Sequence, residues 1–222
     1  MLHLYALTQH PARLPEVRGL ADAALSAAEV DGIDAVLSQT AGNIGEATEE
    51  AILAHARVVE ELAALNDGVL PARLDGAYEN EAALVAAVRR RAPQLAEALE
   101  RVRGCTEMGV RVLQEPKHGS AQAESGSKYM RGRLEEIRHA ERVASDVDEA
   151  VQVFVRGSTK RVLASQQLVV SVAYLLPRSE VDSFRSAVET AEQAWPDLTF
   201  VCTGPWPPYS FVLVDGDPLG PA

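Results

Sequence analysis

The first part of the chain combines alternating and helical patterns. Leu2 to Thr8 alternates between two sets of positions and predicts a strand, and a second short strand is predicted around Ile33 to Ser38. After a break at Ala41 to Gly45, apolar residues recur at helical spacing and predict an amphipathic helix that ends near Gly68. Its apolar stripe comprises Ile52, His55, Val59, Leu62 and Leu65, and its polar face comprises Glu49, Glu50, Arg57, Glu60 and Glu61.

The next segment predicts a short extended run and more helix. Val69 to Leu74 forms the extended run. A helical stripe follows at Leu84, Val88, Leu95, Leu99 and Val102. Pro93 interrupts this stripe, and because proline lacks a backbone N–H and fixes φ, it either kinks the helix or starts a second one.

The second half continues with strand, helix and strand patterns. Glu107 to Leu113 predicts a strand, Tyr129 to about Val151 a long helix, and Leu168 to Leu176 an inner strand that is apolar on both faces. The apolar stripe of the long helix comprises Met130, Leu134, Ile137, Ala144 and Val147. Lys117 to Ser127 is rich in glycine and serine and predicts a flexible loop.

The last elements predict one more helix and strand. Ser179 and Asp182 predict a capping box at the start of a helix that Pro196 stops. The apolar face of this helix comprises Val181, Phe184, Val188, Ala191 and Trp195. Leu198 to Thr203 alternates and predicts a strand.

Together these patterns predict an α+β protein of two domains. If Val151 to Val162 supplies a further strand, the second half has the order strand, helix, strand, strand, helix, strand of a ferredoxin-like fold. We therefore expect an N-terminal α+β domain at residues 1–104. A C-terminal ferredoxin-like domain, an antiparallel sheet with helices on one face, is expected at residues 105–222.

Composition narrows the classes of function. The net charge of -11 disfavours binding to nucleic acid or to an anionic membrane surface. Cys105 and Cys202 each stand alone, without the spacing of a zinc site, and predict buried thiols. The chain begins without a signal-peptide pattern, and no apolar run approaches the ~20 residues that span a bilayer. We expect a cytosolic protein with no metal and no cofactor.

The segment Thr203 to Phe211 is the most specific feature of the chain. Its prolines are Pro205, Pro207 and Pro208, and its aromatic residues are Trp206, Tyr209 and Phe211. The prolines remove three backbone donors and predict a stiff, extended chain. The rings either close the protein's own core or form a preformed docking surface, and both roles can hold for different rings. We predict that Trp206 and Phe211 are mainly structural and that Tyr209, with its polar tip, reaches a partner.

The run from Thr203 to Phe211 resembles the hallmark end of the GvpF/GvpL family of gas vesicle proteins. Similar stretches follow one another in family order at Met1 to Leu7, Ala51 to Leu65, Val69 to Pro71, Gly104 to Val112, Gly126 with Tyr129, and Ala173 to Leu175. Two positions depart from the family pattern, since Asp75 precedes Gly76 and Met108 stands where an aromatic residue is usual.

The resemblance implies a function in gas vesicle formation. Family members are minor vesicle components or accessory proteins that bind the small, very hydrophobic main shell protein and help to nucleate or assemble the vesicle. The expected partners are that shell protein and other accessory proteins, with no nucleic acid and no lipid membrane, and the expected location is the cytoplasm in association with gas vesicles. The resemblance also implies a modified ferredoxin fold for the second domain.

A competing interpretation is a small-molecule-binding or enzymatic ferredoxin-like domain, because this fold hosts many chemistries. A deep polar pocket with convergent titratable groups would favour it. No zinc-protease, phosphate-loop, dinucleotide or nucleophile-elbow motif is present in the sequence, so we predict no catalytic residue and no enzyme.

Four residues outside the aromatic segment are candidates for a structural role or a partner contact. They are His55, Arg57, Arg73 and Glu107. His55 lies on an apolar stripe, where a hydrogen-bonded core histidine is favoured over a catalytic base. Arg73 and Glu107 predict either a buried ion pair or a pair that faces a partner.

Overall fold

A computed structural model describes residues 1–41, 48–114, 126–161 and 168–212. The chain divides into two compact units. Unit 1 comprises Met1–Thr106 with the segment that begins at Trp206, and unit 2 comprises Glu107–Pro205. The domain boundary expected at residue 104 stays a prediction.

Unit 1 is built on an antiparallel five-stranded sheet whose central strand is buried on both faces. The strands are β1 (Leu2–Gln9), β2 (Leu25–Val30), β3 (Ile33–Gln39), β4 (Val69–Pro71) and β5 (Ala77–Tyr78), in the order β2-β3-β1-β4, and β5 also pairs with β1. Six of the eight residues of β1 are buried, because β1 has neighbours along both edges and helices cover the sheet.

A tight hairpin joins β2 to β3. Asp31 and Gly32 form its turn with φ values of 51° and 82°, the conformation that Asp-Gly adopts in two-residue hairpin turns. The pattern of the sequence predicted β3, whereas β2 was not predicted.

Helix α1 (Glu49–Leu65) packs on the sheet of unit 1. Thr48 caps its start, since the Thr48 hydroxyl accepts a 3.2 Å hydrogen bond from the backbone N–H of Ala51. The buried face comprises His55, Val58, Val59 and Leu62. The assignment of Ile52 and Leu65 to this face was wrong, because they lie at its flanks in the first and last turns and are exposed.

Two further helices complete unit 1. Helices α2 (Glu81–Arg90) and α3 (Ala92–Val102) are separated at Arg91, and Pro93 lies in the first turn of α3. Of the two alternatives predicted for Pro93, the start of a second helix is therefore confirmed. All five residues of the predicted stripe are buried.

Unit 2 contains a four-stranded sheet in the ferredoxin-like order. Its strands are β6 (Cys105–Gln114), β7 (Gly157–Arg161), β8 (Leu168–Pro177) and β9 (Leu198–Trp206), arranged as β7-β8-β6-β9. Strands β7 and β8 pair antiparallel. The prediction that Leu168 to Leu176 forms an inner strand is confirmed.

Two helices of unit 2 contact each other and share one core with the strands. They are α4 (Gly126–Val151) and α5 (Val181–Glu192). The apolar stripe predicted for α4 is wrong in its N-terminal half, since Met130 and Leu134 are exposed. Among the described side chains of α4, burial begins at Ala140, and the C-terminal half joins the core of unit 2.

Helix α5 begins and ends differently from the prediction. Arg178–Glu180 form a 3-10 turn that runs directly into α5, and no side chain caps the helix. The capping box of Ser179 with Asp182 is therefore wrong, because Ser179 lies inside that turn. The helix ends at Glu192, before Pro196. Most of the loop predicted at Lys117 to Ser127 lies outside the described residues, and its last two residues begin α4.

Cys105 and Cys202 are both thiols rather than disulfide sulfurs, and the first is buried while the second is half-buried. Within the four described ranges, no helix is long and apolar enough to cross a membrane.

Candidate functional site

The aromatic segment, which we define as Gly204–Phe211, begins with a glycine whose backbone conformation favours that residue. Gly204 has a φ of 111°, a backbone conformation that residues with a Cβ rarely adopt. Its carbonyl oxygen accepts a 2.9 Å hydrogen bond from Nη2 of Arg185 on α5. The start of the segment is thus held in place by backbone geometry and by a charged donor.

Hydrogen bonds within unit 1 hold the rest of the segment. The Thr106 hydroxyl donates to the carbonyl oxygen of Trp206 at 2.9 Å, and Nη2 of Arg101 donates to the carbonyl oxygen of Phe211 at 3.1 Å. Pro207 and Pro208 are buried. Proline rings lose no rotamer freedom on burial, so they anchor the backbone at low entropic cost.

The prediction of an extended chain fails after Pro208. Tyr209–Phe211 form a 3-10 turn in which the N–H groups of Tyr209 and Phe211 donate to the carbonyl oxygens of Pro207 and Pro208 at 2.8 and 3.1 Å. Proline stiffens its own position and the one before it, but Tyr209 and the residues after it keep their N–H groups and can close a turn.

Two rings of the segment lie at the surface of unit 1. The Trp206 side chain is 46% exposed and that of Tyr209 is 42% exposed, whereas Phe211 is half-buried. Partial burial, and secondarily the nearby Glu60 carboxylate, raises the pKa of Tyr209 to about 12. The Tyr209 hydroxyl therefore keeps its proton at neutral pH and remains able to donate a hydrogen bond.

The structure places His55 in the core of unit 1 and Arg57 on the exposed face of α1. His55 Nε2 lies 3.0 Å from the carbonyl oxygen of Ala72. His55 Nδ1 lies 2.8 Å from Nε2 of His3, a contact between residues 52 positions apart.

Arg73 and Glu107 have different surroundings. Arg73 forms an ion pair with Asp75, with Nε 3.2 Å from Oδ1, and both side chains are largely exposed. An exposed pair of this kind contributes little to stability. Glu107 is buried at the start of unit 2. The pairing of Arg73 with Glu107 stays a prediction.

Sequence reasoning missed the polar cluster around the His55 ring. Tyr5 stacks on His55 with 5.4 Å between ring centroids, and its hydroxyl lies 2.9 Å from the Ser38 hydroxyl and accepts a 2.7 Å hydrogen bond from the N–H of Leu20. The alternation of β1 places His3 and Tyr5 on one face of the strand. No local signal identifies which helix covers that face.

Unit 2 contains an open cavity of about 650 Å³. It is lined by Gln114, His139, Trp195, Pro196, Asp197, Leu198 and Thr199. The His139 and Trp195 rings meet edge-on with 5.3 Å between centroids. The indole N–H of Trp195 is buried, and the described part of the chain offers it no hydrogen-bond acceptor. The cavity therefore combines two titratable side chains, His139 and Asp197, with an unused donor in one of its walls.

In the described part of the chain, no group of three or more His, Cys, Asp or Glu side chains is placed to hold a metal ion. The expected absence of a metal and of a cofactor stays a prediction.

Known proteins are similar to this chain over most of its length. A model of the family described as "Gas vesicle synthesis protein GvpL/GvpF" matches residues 1–213. Gas vesicle protein F of Haloferax mediterranei is 27% identical over 183 residues, which cover 81% of this chain and 78% of that protein. Gas vesicle protein F1 of Halobacterium salinarum is 24% identical over 214 residues, covering 95% and 92%.

Two crystal structures share the fold. GvpF from an Anabaena species matches with a TM-score of 0.81 at 19% identity, covering 97% of both chains. GvpF from Microcystis aeruginosa matches with a TM-score of 0.79 at 16% identity, covering 96% of this chain and 99% of that one. The mixed helix and sheet architecture is thus that of solved gas vesicle proteins.

Proposed function

The chain belongs to the gas vesicle synthesis protein GvpL/GvpF family, and on this premise we propose that it binds the main shell protein of the gas vesicle through Trp206 and Tyr209. Binding of the small, hydrophobic shell protein helps to nucleate or assemble the vesicle. Other accessory proteins of the vesicle are further partners, and the chain acts as a binding protein rather than an enzyme.

The observation that carries this proposal is the exposure of two aromatic rings on a backbone that is fixed. Trp206 and Tyr209 are nearly half exposed, while Pro207 and Pro208 between them are buried. Aromatic anchors on a preorganised backbone bind with a small loss of conformational entropy. Trp and Tyr are also the residues most often found at the energetic centre of interfaces.

The chemistry of the two rings suits an apolar partner with a few polar groups. The Trp206 indole offers a large apolar surface, and the protonated Tyr209 hydroxyl offers one hydrogen-bond donor at its tip. We therefore assign docking to both rings. The narrower prediction that Trp206 is structural and only Tyr209 docks remains the alternative within this proposal.

Capture of the co-expressed shell protein by the tagged full chain tests the proposal. We expect Trp206→Ala and Tyr209→Ala to weaken capture, each by about 30-fold or more if the ring is a hot spot. Leu134→Ala is the matched control, because Leu134 is 45% exposed on α4 of unit 2. Equal capture by wild type and by a folded Trp206→Ala, Tyr209→Ala double variant would exclude these rings as the docking site.

A small-molecule function is the second candidate, and the cavity of unit 2 is the observation that favours it. His139→Gln and Asp197→Asn remove the titratable groups of its lining and leave the aromatic segment unchanged. If these variants fold and capture shell protein normally but fail to support vesicle formation in the native host, the cavity has a function of its own.

A further inference from the structure

His3 and His55 form a buried pair that joins a strand to a helix. His3 lies on β1 and is fully buried, and His55 lies on the buried face of α1. Their nitrogens, His3 Nε2 and His55 Nδ1, are 2.8 Å apart, which is hydrogen-bond distance. The pair is thus a direct polar link between β1 and α1.

The neighbouring carbonyl fixes the position of each proton. The Ala72 carbonyl oxygen can only accept, so Nε2 of His55 carries a hydrogen and donates across 3.0 Å. In the neutral ring, His55 Nδ1 is then an acceptor, and His3 Nε2 donates to it. His3 Nδ1 is left as a lone pair, buried without a hydrogen-bond partner among the residues that the structure describes. When both rings are neutral, each therefore carries its proton on Nε2.

A further proton on the pair leaves a buried charge and a badly placed N–H group. If the proton binds His55 Nδ1, its N–H points at the N–H of His3 unless His3 moves its own hydrogen from Nε2 to Nδ1. In that case, and also when the proton binds His3 directly, His3 Nδ1 becomes a buried donor with no acceptor among the described residues. Each outcome costs free energy, since buried charges and donors need partners. Protonation therefore opposes the packed arrangement.

The groups that face the pair do not offset this cost. Tyr5 stacks on His55 from β1, Ser38 of β3 and Ala77 of β5 lie opposite His3 in the sheet, and the Ala72 carbonyl is already bonded. The Tyr5 hydroxyl is engaged with Ser38 and with the N–H of Leu20. None of these groups is a carboxylate.

We propose that the His3–His55 pair is an acid-sensitive latch, which holds helix α1 on strand β1 while both rings are neutral and releases the helix when either ring gains a proton. The latch uses no residue of the aromatic segment, so its test does not require the shell protein to bind there.

The direction and size of the pH effect follow from linkage. Burial, and then the neighbouring His55, lowers the pKa of His3 from 6.5 to about 4, and burial also lowers the pKa of His55 against the opposing hydrogen bond to Ala72. A folded-state pKa below the unfolded value stabilises the fold above pH 6.5, and this stabilisation is lost as the pH falls towards 4. For His3 alone, the unfolding constant of unit 1 rises roughly 30-fold between pH 8 and pH 5.

Hydrogen exchange of the full chain, corrected for intrinsic exchange rates, tests the latch. We expect the protection of the β1 and α1 amides to fall at least tenfold from pH 8 to pH 5. In a His3→Gln, His55→Gln variant the same amides should lose much less protection over this range. His139→Gln, which removes a histidine of unit 2, should behave as wild type. Equal loss in wild type and in the double variant, or no loss in wild type, would overturn the proposal.

A second measurement keeps the test valid if the double variant does not fold. Side-chain nitrogen NMR of the wild-type chain should show both rings neutral and protonated at Nε2 at pH 7.5, with His3 still neutral at pH 5.5. Titration of both rings near pH 6.5, or a proton on Nδ1 of either ring at pH 7.5, would contradict the latch.

Discussion

The two units build their cores from different groups. Among the described residues, unit 1 buries seven polar residues, whereas unit 2 buries one, Glu107. Those of unit 1 are His3, Thr8, Asp34, Ser38, His55, Asn66 and Thr106. The core cluster of unit 2 is apolar apart from the Tyr174 hydroxyl, which donates to Asp148 Oδ1 at 2.6 Å.

This difference determines what each unit is sensitive to. An apolar core is stabilised by removing surface from water and by close packing, so it responds to changes in volume. A core with buried polar groups depends on the pairing of those groups, so it responds to the loss of one atom or the gain of one proton. The loss of a buried polar atom, or the gain of a proton, should therefore destabilise unit 2 less than unit 1.

The largest effect on stability is expected from a substitution that creates a new cavity in the core of unit 2. Phe184 is fully buried beside Tyr174, with 5.4 Å between ring centroids. Phe184→Ala should reduce the free energy of unfolding by about 3–5 kcal/mol, because the loss of buried surface and the cavity add. Urea unfolding measures this loss. Val153→Ala, at an exposed position of the same unit, should change stability by less than about 0.5 kcal/mol.

A small loss of stability in Phe184→Ala would contradict the claim that the apolar core of unit 2 is sensitive to changes in volume. Losses below about 1 kcal/mol would mean that the core of unit 2 collapses around the vacancy, so that volume is not what it is sensitive to. Urea unfolding at pH 8 and at pH 5 distinguishes this effect from that of the histidine pair. The stability lost through Phe184→Ala should be the same at both pH values, because phenylalanine does not titrate.

The next largest effect on stability is expected from the removal of a buried tyrosine hydroxyl, which can be done in both units. Tyr5→Phe removes the acceptor of the Leu20 N–H and a partner of Ser38 in the core of unit 1. The expected loss is about 1–3 kcal/mol, the cost of leaving buried polar groups unpaired. Tyr174→Phe in unit 2 should cost less, about 1 kcal/mol, because Asp148 is half-buried and can turn to water. A larger loss for Tyr174→Phe than for Tyr5→Phe would reverse the comparison.

Most of the fold could be predicted from the sequence because its elements have strong local periodicity. β1, β3 and the long helices follow periods of two and 3.6 residues, so they were found. β2 was missed, because Ser26, Ala27, Ala28 and Glu29 carry little strand propensity. The Asp31-Gly32 pair was the local signal that would have revealed it, as a hairpin turn that requires a strand on each side.

The sequence identified the residues of the candidate site but could not predict which of their side chains are exposed. Whether a ring is covered depends on residues far away in sequence, as Thr106 is separated from Trp206 by 100 positions. The link of His3 to His55 is likewise set by how α1 packs on β1, which no local pattern specifies. A histidine on an apolar stripe predicts burial, but its partner emerges only from the tertiary fold.

The smallest effect on stability is expected at the surface of unit 1. Because Trp206 is 46% exposed and its backbone is held by Thr106 and the buried prolines, Trp206→Ala should reduce the free energy of unfolding by about 1 kcal/mol or less. Thermal melting measures this against Phe184→Ala, which removes a ring that is fully buried. A loss of 3 kcal/mol or more for Trp206→Ala would place its ring among the core residues and leave Tyr209 as the docking residue. A loss near zero, together with shell-protein capture weakened by about 2 kcal/mol or more, is the result that a ring held ready for a partner requires.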